Sequence, residues 1–267
     1  MPVFVQRRYA YALSTPHFHR QSQPACLADN FHIEFVIHIE FIMPAETSIP
    51  NIYIIGPQST GKTTLVNKLQ SNLESWPVDS SAGTPGIISE VARSVLIKHK
   101  FSAKDITSST TRCLALQKLI LEAQASAEDE ALRSSQWFIS DRSGFDPLVY
   151  TKRYVSADAV ADLQREPAWR EVEARMANSL IVVCEAGTPW LLDDGVRLMP
   201  SSEQEWMQVF RDFCELLKDV GFEYFVLPRT MLNIEERAEF IRARWTDRGK
   251  LFACNGFDSV PIVNGKL

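Results

Sequence analysis

The sequence has no uninterrupted apolar run of about 18 residues, so no transmembrane helix is expected. Cysteine is sparse and scattered: Cys26, Cys113, Cys184, Cys214 and Cys254 are odd in number and form no C-x-x-C pair. They read as reduced packing residues in a reducing compartment, neither a disulfide frame nor a zinc site. Basic excess is missing too. A formal net charge of −5 argues against a general nucleic-acid binder, which would show a basic face. No internal repeat is visible. No Asp or Glu precedes Asp29, whereas Arg7, Arg8 and Arg20 do.

That acid-free start sets residues 1–42 apart as an extension. It has the composition of a mitochondrial transit peptide but no strong amphipathic Arg helix. The competing readings are a poorly ordered appendage and an upstream translation product, with Met43 as a sensible start. A reducing compartment favours the cytoplasm, with the mitochondrion as the alternative if the extension is a targeting segment. Residues 31–42 alternate like a strand that could pair at a sheet edge. The remaining 225 residues have the apolar and charged fractions of an ordinary globular chain, enough for one α/β domain over 43–248 and a tail over 249–267.

The centre of that domain is Asn51 to Leu65, NIYIIGPQSTGKTTL. Strand-forming residues run into Gly56-Pro57-Gln58-Ser59-Thr60-Gly61-Lys62-Thr63-Thr64, followed by helical spacing at Leu65, Leu69 and Leu73. This is G-x-x-x-x-G-K-[ST] in its strand–loop–helix context, a phosphate-binding loop. Gly56 and Gly61 permit the tight turn that brings successive N–H groups onto a polyphosphate. The helix N-terminus near Lys62 adds partial positive charge. Lys62 is expected to reach the β- and γ-phosphates of ATP, and Thr63 to offer its hydroxyl to Mg²⁺.

Further strands are expected at Ile87–Glu90, Trp137–Ser140, Leu180–Cys184 and Phe222–Leu227, alternating with helices. One helix is expected over 105–132, capped by Thr107 or Ser108, another over 157–177, and a closing one over 234–245. Such alternation predicts right-handed crossovers and a parallel sheet flanked by helices. Ligands of such a sheet bind outside the carboxyl ends of the strands, so charged strand ends are the candidate site. These are Glu90, Asp141 with Arg142, and Arg229. Asp141 is expected to help hold Mg²⁺, Arg142 to clamp phosphoryl oxygens, and Glu90 to serve an acceptor hydroxyl as base. The structural alternatives are a helix cap at each carboxylate and an Arg93 partner for Glu90.

Three segments in order after the phosphate loop carry a family resemblance: Glu90-Val-Ala-Arg93, the stretch from Asp141 to Tyr150, and Pro189-Trp-Leu-Leu-Asp-Asp-Gly-Val-Arg197. The chain from about Ile49 to Trp245 resembles the NadR-like AAA/P-loop kinase family, related to the nicotinamide riboside kinase domains of bacterial NAD-regulatory proteins. The resemblance implies a nucleoside- and nucleotide-kinase-like P-loop fold, with Asp193 to Arg197 in a lid and Arg197 on phosphates. It implies transfer of the ATP γ-phosphoryl group to the hydroxyl of a small-molecule acceptor such as nicotinamide riboside. An ATPase, or a nucleotide- or lipid-binding module without turnover, is the alternative. A GTPase-like switch finds support in the D-x-x-G pattern of Asp141 to Gly144, but no N-K-x-D motif follows Cys184.

Overall fold

Ile52–Ile55 (β1), Gly86–Ile88 (β2), Phe138–Asp141 (β3), Leu180–Cys184 (β4) and Phe225–Leu227 (β5) form one sheet in the order β2-β3-β1-β4-β5. Every pairing is parallel. This is a computed structural model, and it describes residues 49–76, 83–190 and 198–254. The expectations for 1–42 and for Arg197 lie outside the described residues.

The three central strands are buried at every position, as the apolar runs of a sheet covered on both sides require. Alternation along β1 divides the core. Ile52 and Ile54 pack with α1 (Lys62–Ser71) and α9 (Ile234–Cys254), through Leu65, Leu69 and Ile241. Tyr53 and Ile55 face the opposite layer, which includes α4 (Thr110–Ser134), α5 (Phe145–Tyr154), α7 (Pro167–Ala177) and α8 (Glu203–Val220). Trp137 and Trp245 stack with ring centroids 4.6 Å apart. The Trp245 indole N–H donates to the Pro50 carbonyl at 2.6 Å, fixing α9 beside the start of β1.

The expected boundaries differ where capping decides them. The helix expected over 105–132 is two: α3 (Ala103–Ser108), with a capping box from Ser102 and Asp105, and α4, capped by Ser109, which accepts from Arg112 N at 3.3 Å. Ser109 is extended, with φ −154°, so Ser102 and Ser109 take the capping role expected of Thr107 or Ser108. The stretch 157–177 divides into α6 (Ala157–Arg165) and α7, which starts at Pro167, because proline suits a first helical turn and lacks the N–H an interior position needs. The closing helix continues past Trp245 to Cys254, so the tail boundary at 249 falls inside it. Between these elements, α2 (Val91–His99) follows β2.

The strand order places a topological switch at β1: the chain builds β2 and β3 on one side and β4 and β5 on the other. A crevice beyond the carboxyl end of β1 follows.

Candidate active site

The phosphate loop occupies that crevice. Gly56 has φ +122°, and a Cβ there would lie 2.8 Å from the Cys184 carbonyl oxygen, so glycine is required by both backbone and space. The loop's carbonyls are bound by the surrounding protein. Trp206 Nε1 donates to Gln58 O at 2.9 Å, Arg237 Nη2 to Thr60 O at 2.8 Å, and Thr188 Oγ1 to Ser59 O at 3.4 Å. Lys62 Nζ and Thr60 Oγ1 donate to Pro57 O. These bonds hold four consecutive loop carbonyls, and a loop of this kind offers its backbone N–H groups to a polyphosphate.

Lys62 is only 4 % exposed. Burial, reinforced by the nearby Arg142 guanidinium, pushes its pKa down to about 8. Thr63 Oγ1 donates to Asp141 Oδ2 at 2.5 Å. Asp141 ends β3 in register with Ile54, and its Oδ1 is buried with no hydrogen-bond partner among the described residues. The Thr63 hydroxyl and the Asp141 carboxylate, with its spare oxygen, form a hard-oxygen donor pair that fits Mg²⁺.

Arg142, one residue on, continues the ladder by donating its N–H to Ile54 O at 2.9 Å. It does so at φ +79°, an uncommon conformation for a non-glycine residue and one often found at functional sites. Its guanidinium is nearly buried. Nε donates to Glu90 Oε1 at 2.7 Å and Nη1 to Asp146 Oδ1 at 3.0 Å. Burial works against its charge, but the Glu90 and Asp146 carboxylates more than offset this, and its pKa is raised. Asp146 is held in turn by the backbone N–H of Ser143 at 3.0 Å and the Ser143 hydroxyl at 3.1 Å.

Glu90 is the N-cap residue of α2 but makes no side-chain cap bond. Its Oε2 accepts from Arg93 Nε at 3.0 Å while its Oε1 faces Arg142. The Arg93 partner, the structural alternative for Glu90, is therefore present. Glu90 does not end a strand as expected: β2 stops at Ile88 and Glu90 opens α2, with β2 lying beyond β3 from the phosphate-loop strand. Arg229 is elsewhere: its backbone N–H binds Glu185 and its guanidinium pairs with Glu203.

Two cavities meet at Arg142. One, of about 420 Å³, is lined by Ser59, Lys62, Thr63, Thr64, Trp190 and Arg237. The other is narrower, about 80 Å³, with Glu90, Gln124, Asp146 and Tyr150 at its polar end and Leu96 and Ile106 among its apolar walls. Arg142 lines both. Gln58 turns its side chain to the second cavity, where its Oε1 accepts from Tyr150 OH at 3.2 Å. Asp146, Trp190 and Arg237 join the site without having been singled out in the sequence. Asp146 and Trp190 stand within the motif segments, and only Arg237 gives no sequence signal. Arg237 lies two helical turns before Trp245, and its guanidinium sits 5.5 Å from the Trp190 ring centroid.

A parallel sheet with this loop on its central strand and an aspartate ending the adjacent strand defines the P-loop NTPase class, in its nucleoside- and nucleotide-kinase-like form. The family model described as an AAA domain matches residues 51–237. The chain belongs to this AAA-domain family, and its fold is that of the NadR-like P-loop kinases. Among solved structures, NadR protein in complex with NR matches with a TM-score of 0.52 at 21% identity, over 73% of this chain and 52% of that one. The match thus spans about half of the NadR chain. Shikimate kinase from Acinetobacter baumannii in complex with shikimate matches with a TM-score of 0.39 at 14% identity, over 78% of this chain and 96% of that one. No curated protein sequence matches. Among the described residues no helix is long and apolar enough to cross a membrane.

Proposed function

We propose that the protein is an ATP-dependent small-molecule kinase that transfers the γ-phosphoryl group to a hydroxyl of a nucleoside-type acceptor, for which nicotinamide riboside is a candidate. The observation that carries this reading is Arg142, whose guanidinium stands between the phosphate-loop cavity and a second cavity carrying Glu90. A nucleotide-binding module needs the first cavity; a kinase needs both.

In this reading the loop N–H groups and Lys62 hold the β- and γ-phosphates. Thr63 and Asp141 hold Mg²⁺, which when bound would neutralise phosphate charge and orient the transferring group. Arg142, fixed by Glu90 and Asp146, stabilises charge on the phosphoryl oxygens as the group crosses from one cavity to the other. Glu90 orients the acceptor hydroxyl and takes its proton. Arg197 acts as a phosphate ligand by family resemblance. Positioning and electrostatics supply most of the rate. The second cavity is narrow, so a nucleoside-sized acceptor requires the wall formed by α2 and α3 to give way on binding.

One observation favours the alternative of a binding module or slow ATPase: Glu90 is engaged by both Arg93 and Arg142, a structural use for a carboxylate assigned to base catalysis. ADP release measured across a nucleoside panel separates the two. Stimulation by one acceptor supports the kinase, whereas slow release that no acceptor alters supports the alternative.

A further inference from the structure

The inner end of the second cavity is finished by Gln124, a residue with no part in phosphate handling. Its side chain is fully buried at 0 % exposure. Gln124 Nε2 donates to Glu128 Oε1 at 3.1 Å and to Ser140 Oγ at 3.0 Å, so both amide hydrogens are used. The orientation is fixed from behind. Glu128 Oε2 accepts from Tyr53 OH at 3.0 Å and from Arg175 Nη1 at 3.2 Å, and the Gln124 amide is the donor to the other carboxylate oxygen. With Glu128 ionised, as it is above about pH 7, reversing the amide would set its carbonyl oxygen against that carboxylate. Gln124 lines the cavity, and its Oε1 is left buried with no hydrogen-bond partner among the described residues.

A buried carbonyl without a donor is costly, and it is a strong discriminator between ligands that can and cannot supply one. We infer that Gln124 is a specificity-determining residue: the buried end of the acceptor presents a neutral N–H or O–H to Gln124 Oε1, and acceptors with a carboxylate or carbonyl there are rejected. The inference rests on the kinase reading of this cavity, and it extends that reading from the transferred group to the far end of the acceptor.

The test uses two matched pairs of nucleosides with the wild-type full chain, so it does not depend on a variant folding. Nicotinamide riboside carries an amide N–H where nicotinic acid riboside carries a carboxylate. Cytidine carries an amino group where uridine carries a carbonyl. Binding is measured by calorimetry with Mg²⁺ and a non-hydrolysable ATP analogue, and turnover by ADP release. In whichever pair binds, the donor member should be preferred by at least roughly 100-fold. Gln124→Met, checked for unchanged binding of the ATP analogue, should reduce that preference to within about fivefold. Equal or reversed preference in the wild type overturns the inference and leaves a water as the partner of Gln124. So does a preference that survives Gln124→Met, or the absence of binding by all four nucleosides. Preference in binding without ADP release would uphold the role of Gln124 while refuting the kinase. ADP release without preference would do the reverse.

Discussion

The hydroxyl of Thr63 and the carboxylate of Asp141, 78 residues apart in sequence, are joined by a 2.5 Å hydrogen bond between the first turn of α1 and the end of β3. The bond leaves Asp141 Oδ1 buried and unpartnered among the described residues. That pair is the proposed metal site, and a spare anionic oxygen is what a divalent cation requires. Asp141→Asn keeps the shape and the acceptor for Thr63 but removes the charge. The expected outcome is a Mg²⁺ requirement shifted to higher concentration together with a lower rate. A magnesium titration of nucleotide binding and turnover checks it, and an unchanged midpoint would remove Asp141 from the metal.

Lys62 gives a pH signature. Its pKa near 8 in the free protein should return toward the ordinary lysine range against a polyphosphate. Above about pH 8, binding must then take up a proton, and nucleotide affinity should fall by up to about tenfold per pH unit. Folding stability of the free protein moves the other way. Between about 8 and 10.5 the unfolded chain holds a proton that the folded chain has lost, so stability rises with pH across that window. Calorimetry in buffers of different ionisation enthalpy reads the proton uptake directly. An affinity flat through pH 9.5 would show that Lys62 stays charged.

Asp146 is expected to position Arg142. Asp146→Asn leaves the guanidinium with Glu90 and weakens the Ser143 contacts. Stability should drop by about 1–3 kcal/mol, and turnover should fall while the affinity for Mg-ATP changes little. Thermal unfolding and steady-state kinetics on the same preparation separate the two effects.

The buried Glu128 gives a stability prediction away from the chemistry. Burial pushes its pKa up to about 7 from 4.5, against the pull of Gln124 and Arg175. The folded state therefore holds a proton that the unfolded chain releases between those values, and stability should decline as pH rises from about 4.5 to 7. The full effect is on the order of 3 kcal/mol. Glu128→Gln should flatten this part of the profile. A profile unchanged by the substitution would assign the slope to another group.

The sheet was legible because β1, β3 and β4 are short apolar runs separated by helical periodicity, and period and run length are local properties. The phosphate loop, Asp141 and Arg142 were legible because a motif and a strand end can be recognised within a few residues. Helix boundaries were less so: Ser102, Ser109 and Pro167 set them through caps and first-turn preferences that compete with neighbouring serines and threonines. Arg237 was missed because its contact with Thr60 spans 177 residues and arises from the packing of α9 across the sheet. Gln124 was missed for a related reason. A glutamine on a helix face says nothing until Glu128 and Ser140 consume its donors and leave the oxygen buried without a partner among the described residues.

The most direct test of the central claim follows the γ-phosphoryl group itself. Incubation with γ-labelled ATP, Mg²⁺ and the nucleoside that most stimulates ADP release should place the label on the acceptor, in amount equal to the ADP formed. Glu90→Gln should slow this transfer by roughly 10²- to 10⁴-fold with little change in ATP affinity. Label recovered only as inorganic phosphate, at a rate indifferent to the acceptor and to Glu90→Gln, would contradict the kinase account.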